Sequence, residues 1–162
     1  MKVSILGSSG SIGTSTLNVI KENADHFSLN LLTANSNDKK LLHQCKNFHP
    51  EYAYMADIKA SKKLQKNLKL ENIETQVLTN DKDLHDVIAS DETEIVVAGM
   101  VGVAGLEPVL TSIMNGKRLL LANKESYVVA GEYLNNLAQQ NNATIFPIDS
   151  EHSAIHQCLA GS

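Results

Sequence analysis

Residues 5–17 read ILGSSGSIGTSTL, and how this stretch is understood decides the fold. The apolar run Val3–Leu6 that leads into it has the pattern of a buried strand, and Ser11 to Glu22 carries apolar residues at helical spacing. Between the two, Gly7, Gly10 and Gly13 form a G-x-x-G-x-x-G pattern. A strand, a glycine turn and a helix in that order make the first half of a dinucleotide-binding βαβ unit. Gly7 suits the tight turn, Gly10 lets the backbone approach a pyrophosphate, and Gly13 lets the helix pack closely. The first N–H groups of the helix then face the phosphates along its dipole. The competing reading is a Ser/Gly turn with Ser11 as an ordinary N-cap.

The rest of the chain repeats the alternation. Leu29–Thr33, Tyr52–Met55, Thr75–Leu78, Glu94–Ala98, Arg118–Ala122 and Thr144–Ile148 read as further strands. Asp38–Asn47, Lys59–Lys69, Asp81–Ala89, Gly105–Asn115 and Gly131–Asn141 read as helices. Runs such as EIVVAG and RLLLA are apolar on successive residues, which suits strands covered on both faces. The expected fold is α/β: a doubly wound, mostly parallel, Rossmann-like sheet in a single domain. No repeat or Pro/Gly linker divides the chain.

Composition narrows the function classes. Hydrophobic residues are 43% and charged residues 20%, the balance of a soluble globular protein. A net charge of -4 with no basic stripe argues against nucleic acid as a partner. The Lys59–Lys69 segment reads instead as the solvated face of a helix. No apolar run is long enough to span a membrane, and Met1–Lys2 leads straight into a strand, so a cytoplasmic protein is expected. Cys45 and Cys158 form no C-x-x-C and read as buried thiols.

The end of the second strand bears on cofactor choice. NAD sites usually carry a carboxylate there for the ribose hydroxyls. This chain has Ala34, Asn35, Ser36 and Asn37 before the first acid, Asp38, and then Lys39 and Lys40. A neutral loop with lysines behind it favours NADP(H). An Asx turn capping the second helix is compatible with the same residues.

Two later strand ends also carry polar groups. Asn123, Lys124 and Glu125 follow Arg118–Ala122, either as a surface ion pair or as part of a site. Asp149 and Glu151 flank Ser150 after the last strand. In extended chain both carboxylates can reach one hard cation; in a helix start they are caps. His152 and His156 stand i, i+4, but no third nitrogen or sulfur ligand for zinc is evident.

Taken together, GSSGSIGTSTL, LLLANKES and PIDSEHSAI, in this order, closely resemble the 1-deoxy-D-xylulose 5-phosphate reductoisomerase family across essentially the whole chain. The resemblance implies an NADP-dependent oxidoreductase and isomerase of isoprenoid biosynthesis. Such enzymes rearrange 1-deoxy-D-xylulose 5-phosphate and reduce the resulting aldehyde with NADPH to 2-C-methyl-D-erythritol 4-phosphate, assisted by Mg²⁺ or Mn²⁺. By the same resemblance Ser9, Gly10, Ser11 and Ile12 hold the NADPH phosphates, and Asn35, Ser36 and Asn37 face the adenosine 2′-phosphate. Asn123 and Glu125 match nicotinamide-side contacts, and Lys124 a substrate-binding lysine. Asp149 and Glu151 match metal ligands, and Ser150 and Glu151 substrate contacts. The catalytic set is thus Lys124, Asp149 and Glu151, and a homodimer is implied.

Two departures qualify the match. Relatives often have lysine where Ser36 stands, and they are much longer. Residues 1–148 are then expected to form the NADPH-binding domain and residues 149–162 the truncated start of the catalytic region. A third acidic ligand, a lid and a C-terminal helical domain are expected beyond CLAGS. The chain alone is expected to bind NADPH without turnover. The alternative enzyme, an aspartate-semialdehyde dehydrogenase-like protein, needs a nucleophilic cysteine in a context that neither Cys45 nor Cys158 has.

Overall fold

The computed structural model describes residues 1–100, 105–122 and 124–148. Among them seven strands alternate with six helices: β1 (Lys2–Leu6), α1 (Ser11–Glu22), β2 (Ser28–Ala34), α2 (Asp38–Phe48), β3 (Tyr52–Met55), α3 (Ile58–Leu70), β4 (Gln76–Leu78), α4 (Asp81–Ala89), β5 (Ile95–Ala98), α5 (Leu106–Met114), β6 (Arg118–Leu121), α6 (Lys124–Gln140) and β7 (Thr144–Pro147). The strands form one sheet in the order β4-β3-β2-β1-β5-β6-β7. Every pairing is parallel. The chain winds outward from β1 through β4, returns to the other side of β1, and winds outward again from β5. The expected doubly wound α/β fold is what forms.

Side-chain alternation assigns the two faces. Ile95 and Val97 of β5 join a core with Leu17 and Ile20 of α1, Leu41 of α2 and Leu64 of α3. Val96 and Ala98 join the opposite core with Ile88 of α4, Val109 and Ile113 of α5 and Leu134 of α6. All four residues of β5 are buried, which is why this stretch is apolar at every position. Truncating such a residue, Leu64→Ala for example, costs about 2–5 kcal/mol.

Three helix starts are fixed by side-chain caps. Asn37 accepts from Lys40 N–H at 3.0 Å, Asp57 from Ala60 N–H at 2.7 Å and Asn80 from Asp83 N–H at 2.9 Å. Helix α1 differs: its N-cap is Gly10, with no side-chain cap and no acidic residue in the first turn. Ser11 is already helical, so the reading with Ser11 as the cap does not hold.

The elements otherwise follow the sequence within a residue or so, with one exception. Helix α6 starts at Lys124, seven residues ahead of the expected Gly131. Gly131 costs a helix about 1 kcal/mol relative to Ala, and the Val128–Val129 pair is also a weak helix former. These made the first two turns look like loop. Leu134 and Ala138, buried in the second core, anchor the helix regardless of that local preference.

Candidate cofactor site

In an open parallel sheet, ligands bind beyond the C-terminal ends of the strands where the winding direction reverses. Here that point lies between β1 and β5, flanked by the turn after β1 and the segment after β5. Gly7 has φ +85°, a conformation that L side chains rarely adopt. A Cβ there would come within 3.1 Å of Gly99 O and 3.2 Å of Met100 N, so the two loops touch. Gly10 N–H closes the turn on Gly7 O at 3.1 Å.

The role expected of Gly13 is met in a stricter form. A Cβ at this position would lie 2.4 Å from Ser8 Cα and 2.6 Å from Gly7 O. Helix α1 therefore sits directly against the turn that precedes it. Gly10 is different: its Cβ would meet Gly7 O at 3.4 Å and nothing else. The glycine leaves the mouth of the helix open. Among the described residues, the N–H groups of Ser9, Ser11 and Ile12 have no hydrogen-bond partner. Free N–H groups at a helix start with no neighbouring acid attract a phosphate.

Asn35, Ser36 and Asn37 lie at the end of β2, all exposed. The Asn35 carbonyl accepts from Asp57 N–H at 3.0 Å, which ties the ends of β2 and β3. Asn37 Oδ1 is engaged in capping α2, and its amide donors stay available to a ligand. Two further residues hold this region and escape a glycine-pattern reading. Thr33 Oγ1 accepts from Gly7 N–H at 2.9 Å, and Lys40 Nζ donates to Ser9 O at 2.8 Å. Among the described residues no carboxylate pairs with Lys40. Its ammonium stands between the two segments read as phosphate contacts.

Next to this turn, beyond β3 and β4, a cavity of about 740 Å³ opens among Tyr54, Asn80, Asp81, His85 and Met100. The Tyr54 hydroxyl donates to Asp81. Burial, together with that carboxylate, pushes the phenol up to about 12, so it is a neutral donor. His85 Nδ1 and Thr111 Oγ1 are 2.6 Å apart. Burial likewise pushes the Cys45 thiol up to about 12, the opposite of an activated nucleophile.

Lys124 and Glu125 form the start of α6, immediately beyond β6, where backbone geometry alone is described. Asn123, Asp149, Ser150 and Glu151 lie outside the described residues, as do His152, His156 and Cys158. Among the described residues no group of three His, Cys, Asp or Glu side chains could hold a metal ion.

The family model described as 1-deoxy-D-xylulose 5-phosphate reductoisomerase matches residues 3–131. This chain belongs to the 1-deoxy-D-xylulose 5-phosphate reductoisomerase family. Curated reductoisomerases agree: that of Buchnera aphidicola subsp. Schizaphis graminum is 46% identical over 158 residues, 98% of this chain and 40% of its own length. That of Proteus mirabilis is 43% identical over the same extent. The chain thus spans about 40% of the length of these reductoisomerases.

Solved structures point the same way. A reductoisomerase in complex with NADPH, fosmidomycin and magnesium superposes with a TM-score of 0.91 at 39% identity, over 98% of this chain and 38% of that one. The Zymomonas mobilis reductoisomerase in complex with NADPH gives 0.89 at 35% identity, over 97% of this chain and 41% of that one. A Staphylococcus aureus homoserine dehydrogenase, 18% identical with a TM-score of 0.55, shares the fold alone.

Proposed function

We propose that this chain is the NADPH-binding part of a 1-deoxy-D-xylulose 5-phosphate reductoisomerase. The observation that carries this reading is the bare start of α1: a glycine N-cap, no side-chain cap, no acid in the first turn, and open space over Gly10. Ser9, Ser11 and Ile12 offer their N–H groups to the diphosphate, and Gly10, without a side chain, lets it come close. Gly7 and Gly13 let that turn form against Gly99 and α1. Asn35, Ser36 and Asn37 receive the adenosine 2′-phosphate, with the Lys40 ammonium behind them. Complexes of related reductoisomerases with NADPH support the choice of cofactor.

The remaining roles rest on motif resemblance. Asn123 and Glu125 orient the nicotinamide end, and Lys124 binds substrate beside Ser150 and Glu151. Asp149 and Glu151 are two oxygen ligands of a Mg²⁺ or Mn²⁺ ion, and oxygen donors suit both metals. When bound, that ion polarises the ketone and hydroxyl oxygens of 1-deoxy-D-xylulose 5-phosphate. In the complete protein, the product is 2-C-methyl-D-erythritol 4-phosphate, on the route to isoprenoids. Assembly as a homodimer and a cytoplasmic location come with the family. Neither nucleic acid nor membrane is a partner in this reading.

The test uses the 162-residue chain itself. Fluorescence titration is expected to show saturable NADPH binding, and NADPH absorbance is expected to stay constant when 1-deoxy-D-xylulose 5-phosphate and Mg²⁺ are added. Failure to bind NADPH contradicts the cofactor role. Substrate-dependent oxidation of NADPH contradicts the division of the active site.

A further inference from the structure

On the reading that the turn after β1 receives the NADPH diphosphate, we infer that Gln44, inside α2, aims that turn at the cofactor. Ser8 is 0% exposed and Gln44 4%. Gln44 Nε2 donates to the Ser8 carbonyl at 2.8 Å, and the Ser8 hydroxyl lies 2.7 Å from Gln44 Oε1, to which it donates back. The two residues close a ring of hydrogen bonds across 36 positions of sequence. The Ser8 N–H donates to Thr33 O at 2.8 Å. That same carbonyl is a second acceptor, 3.1 Å away, for the Ser8 hydroxyl. Every polar group of Ser8 is committed to the interior.

Peptide geometry carries that commitment to the surface. No peptide bond among the described residues is cis, and a trans peptide holds its C=O and N–H antiparallel. Drawing the Ser8 carbonyl inward to Gln44 turns the Ser9 N–H outward, where it has no partner among the described residues. Lys40 takes the next carbonyl, Ser9 O, at 2.8 Å. Residues i and i+4 of one helix lie on one face. Lys40 and Gln44 thus grip two successive carbonyls of the turn, and the Ser9 N–H between them is left for an anion.

The chemistry of the side chain fits the task. A neutral amide supplies one acceptor and the needed donor in a dry place, where an unpaired charge would be costly. Methionine matches its length and supplies neither hydrogen bond. The helix that bears Gln44 is capped by Asn37, so one rigid element sets both the diphosphate turn and the 2′-phosphate segment. Gln44 itself touches no part of the cofactor and acts as a positioning residue.

Fluorescence titrations of NADPH and NADH, well below the melting temperature, test this on the 162-residue chain and its variants. If the unaltered chain binds neither nucleotide, the underlying reading falls and this inference with it. Given binding, Gln44→Met is expected to raise the Kd for NADPH and NADH by one common factor, on the order of tenfold, because both carry the same diphosphate. Ser8→Ala is expected to weaken both less, and the double variant to lose less than the product of the single losses, as coupled groups do. Ile88→Ala, a cavity in the opposite core, is expected to lower the melting temperature and leave both Kd values unchanged. Unaltered affinity in a folded Gln44→Met chain overturns the inference, as does a loss confined to NADPH. Should Gln44→Met not fold, Ser8→Ala decides: unaltered affinity there overturns it too.

Discussion

Two glycines of the same motif are absent side chains for opposite reasons, and substitution separates them. At Gly13 a Cβ would overlap Ser8 Cα and Gly7 O, backbone atoms that cannot swing aside. Gly13→Ala is expected to destabilise the chain by about 1–3 kcal/mol, read as a lowered melting temperature. At Gly10 the backbone, with φ -77°, suits any residue, and the space is open. Gly10→Val is expected to melt close to the unaltered chain and to raise the Kd for NADPH by about tenfold or more. Equal melting temperatures for the two variants would contradict this division. The spacing of the glycines was legible because a strand before and a helix after gave each a fixed place. Ser8, Thr33, Gln44 and the bond from Lys40 to Ser9 O were not, since hydrogen bonds between distant positions leave no periodic mark. Of the sequence-derived contacts the structure narrows two: the Gly10 N–H bonds Gly7 O, and the Asn37 oxygen caps α2.

Among the elements, strands were read well where burial on both faces makes them apolar throughout, as in β5. Helix starts were read well where Asn or Asp caps them. The miss at α6 has a physical origin: a weak helix former inside a helix held by its later turns. Beneath the opposite end of the sheet from the cofactor turn, another buried polar cluster joins elements. Asn30 Nδ2 donates to Thr93 Oγ1 at 2.8 Å, Thr93 Oγ1 donates to Val87 O at 2.9 Å, and Ser4 Oγ lies 3.2 Å from Thr93 Oγ1. Thr93, 1% exposed, links β1, β2 and the end of α4. Thr93→Val keeps the shape and orphans the Asn30 amide. Denaturant unfolding is expected to show a loss of about 1–3 kcal/mol, with NADPH affinity unchanged because the cofactor turn is at the other end. A weakened affinity would contradict that separation of the two ends.

For the whole molecule, stability should fall in alkali from a buried group that has no part in the site. The Cys45 thiol stays protonated to about 12 in the folded chain against an ordinary value of 9.0. Below the ordinary value both states hold the proton and the contribution is constant. Between the two values the unfolded chain releases it and the folded chain does not, so stability is lost, at most about 1.4 kcal/mol per pH unit. Burial of the Lys117 ammonium lowers its pKa, which acts with the opposite sign on the approach to 10.5. Comparing unfolding free energies near pH 8.5 and pH 10 isolates the thiol: Cys45→Ala should lose less than the unaltered chain. Equal losses would contradict the assignment. At this scale the fold and the family were legible from three motifs, and the family model and the superposed reductoisomerases bear out both. The metal ligands expected at Asp149 and Glu151 lie outside the described residues. Whether the uncapped start of α1 holds the NADPH diphosphate is decided by a crystal structure of this chain with NADPH. Phosphate oxygens are expected within hydrogen-bond distance of the Ser11 and Ile12 N–H groups; a diphosphate lying in the cavity beside Tyr54 and His85 would contradict this.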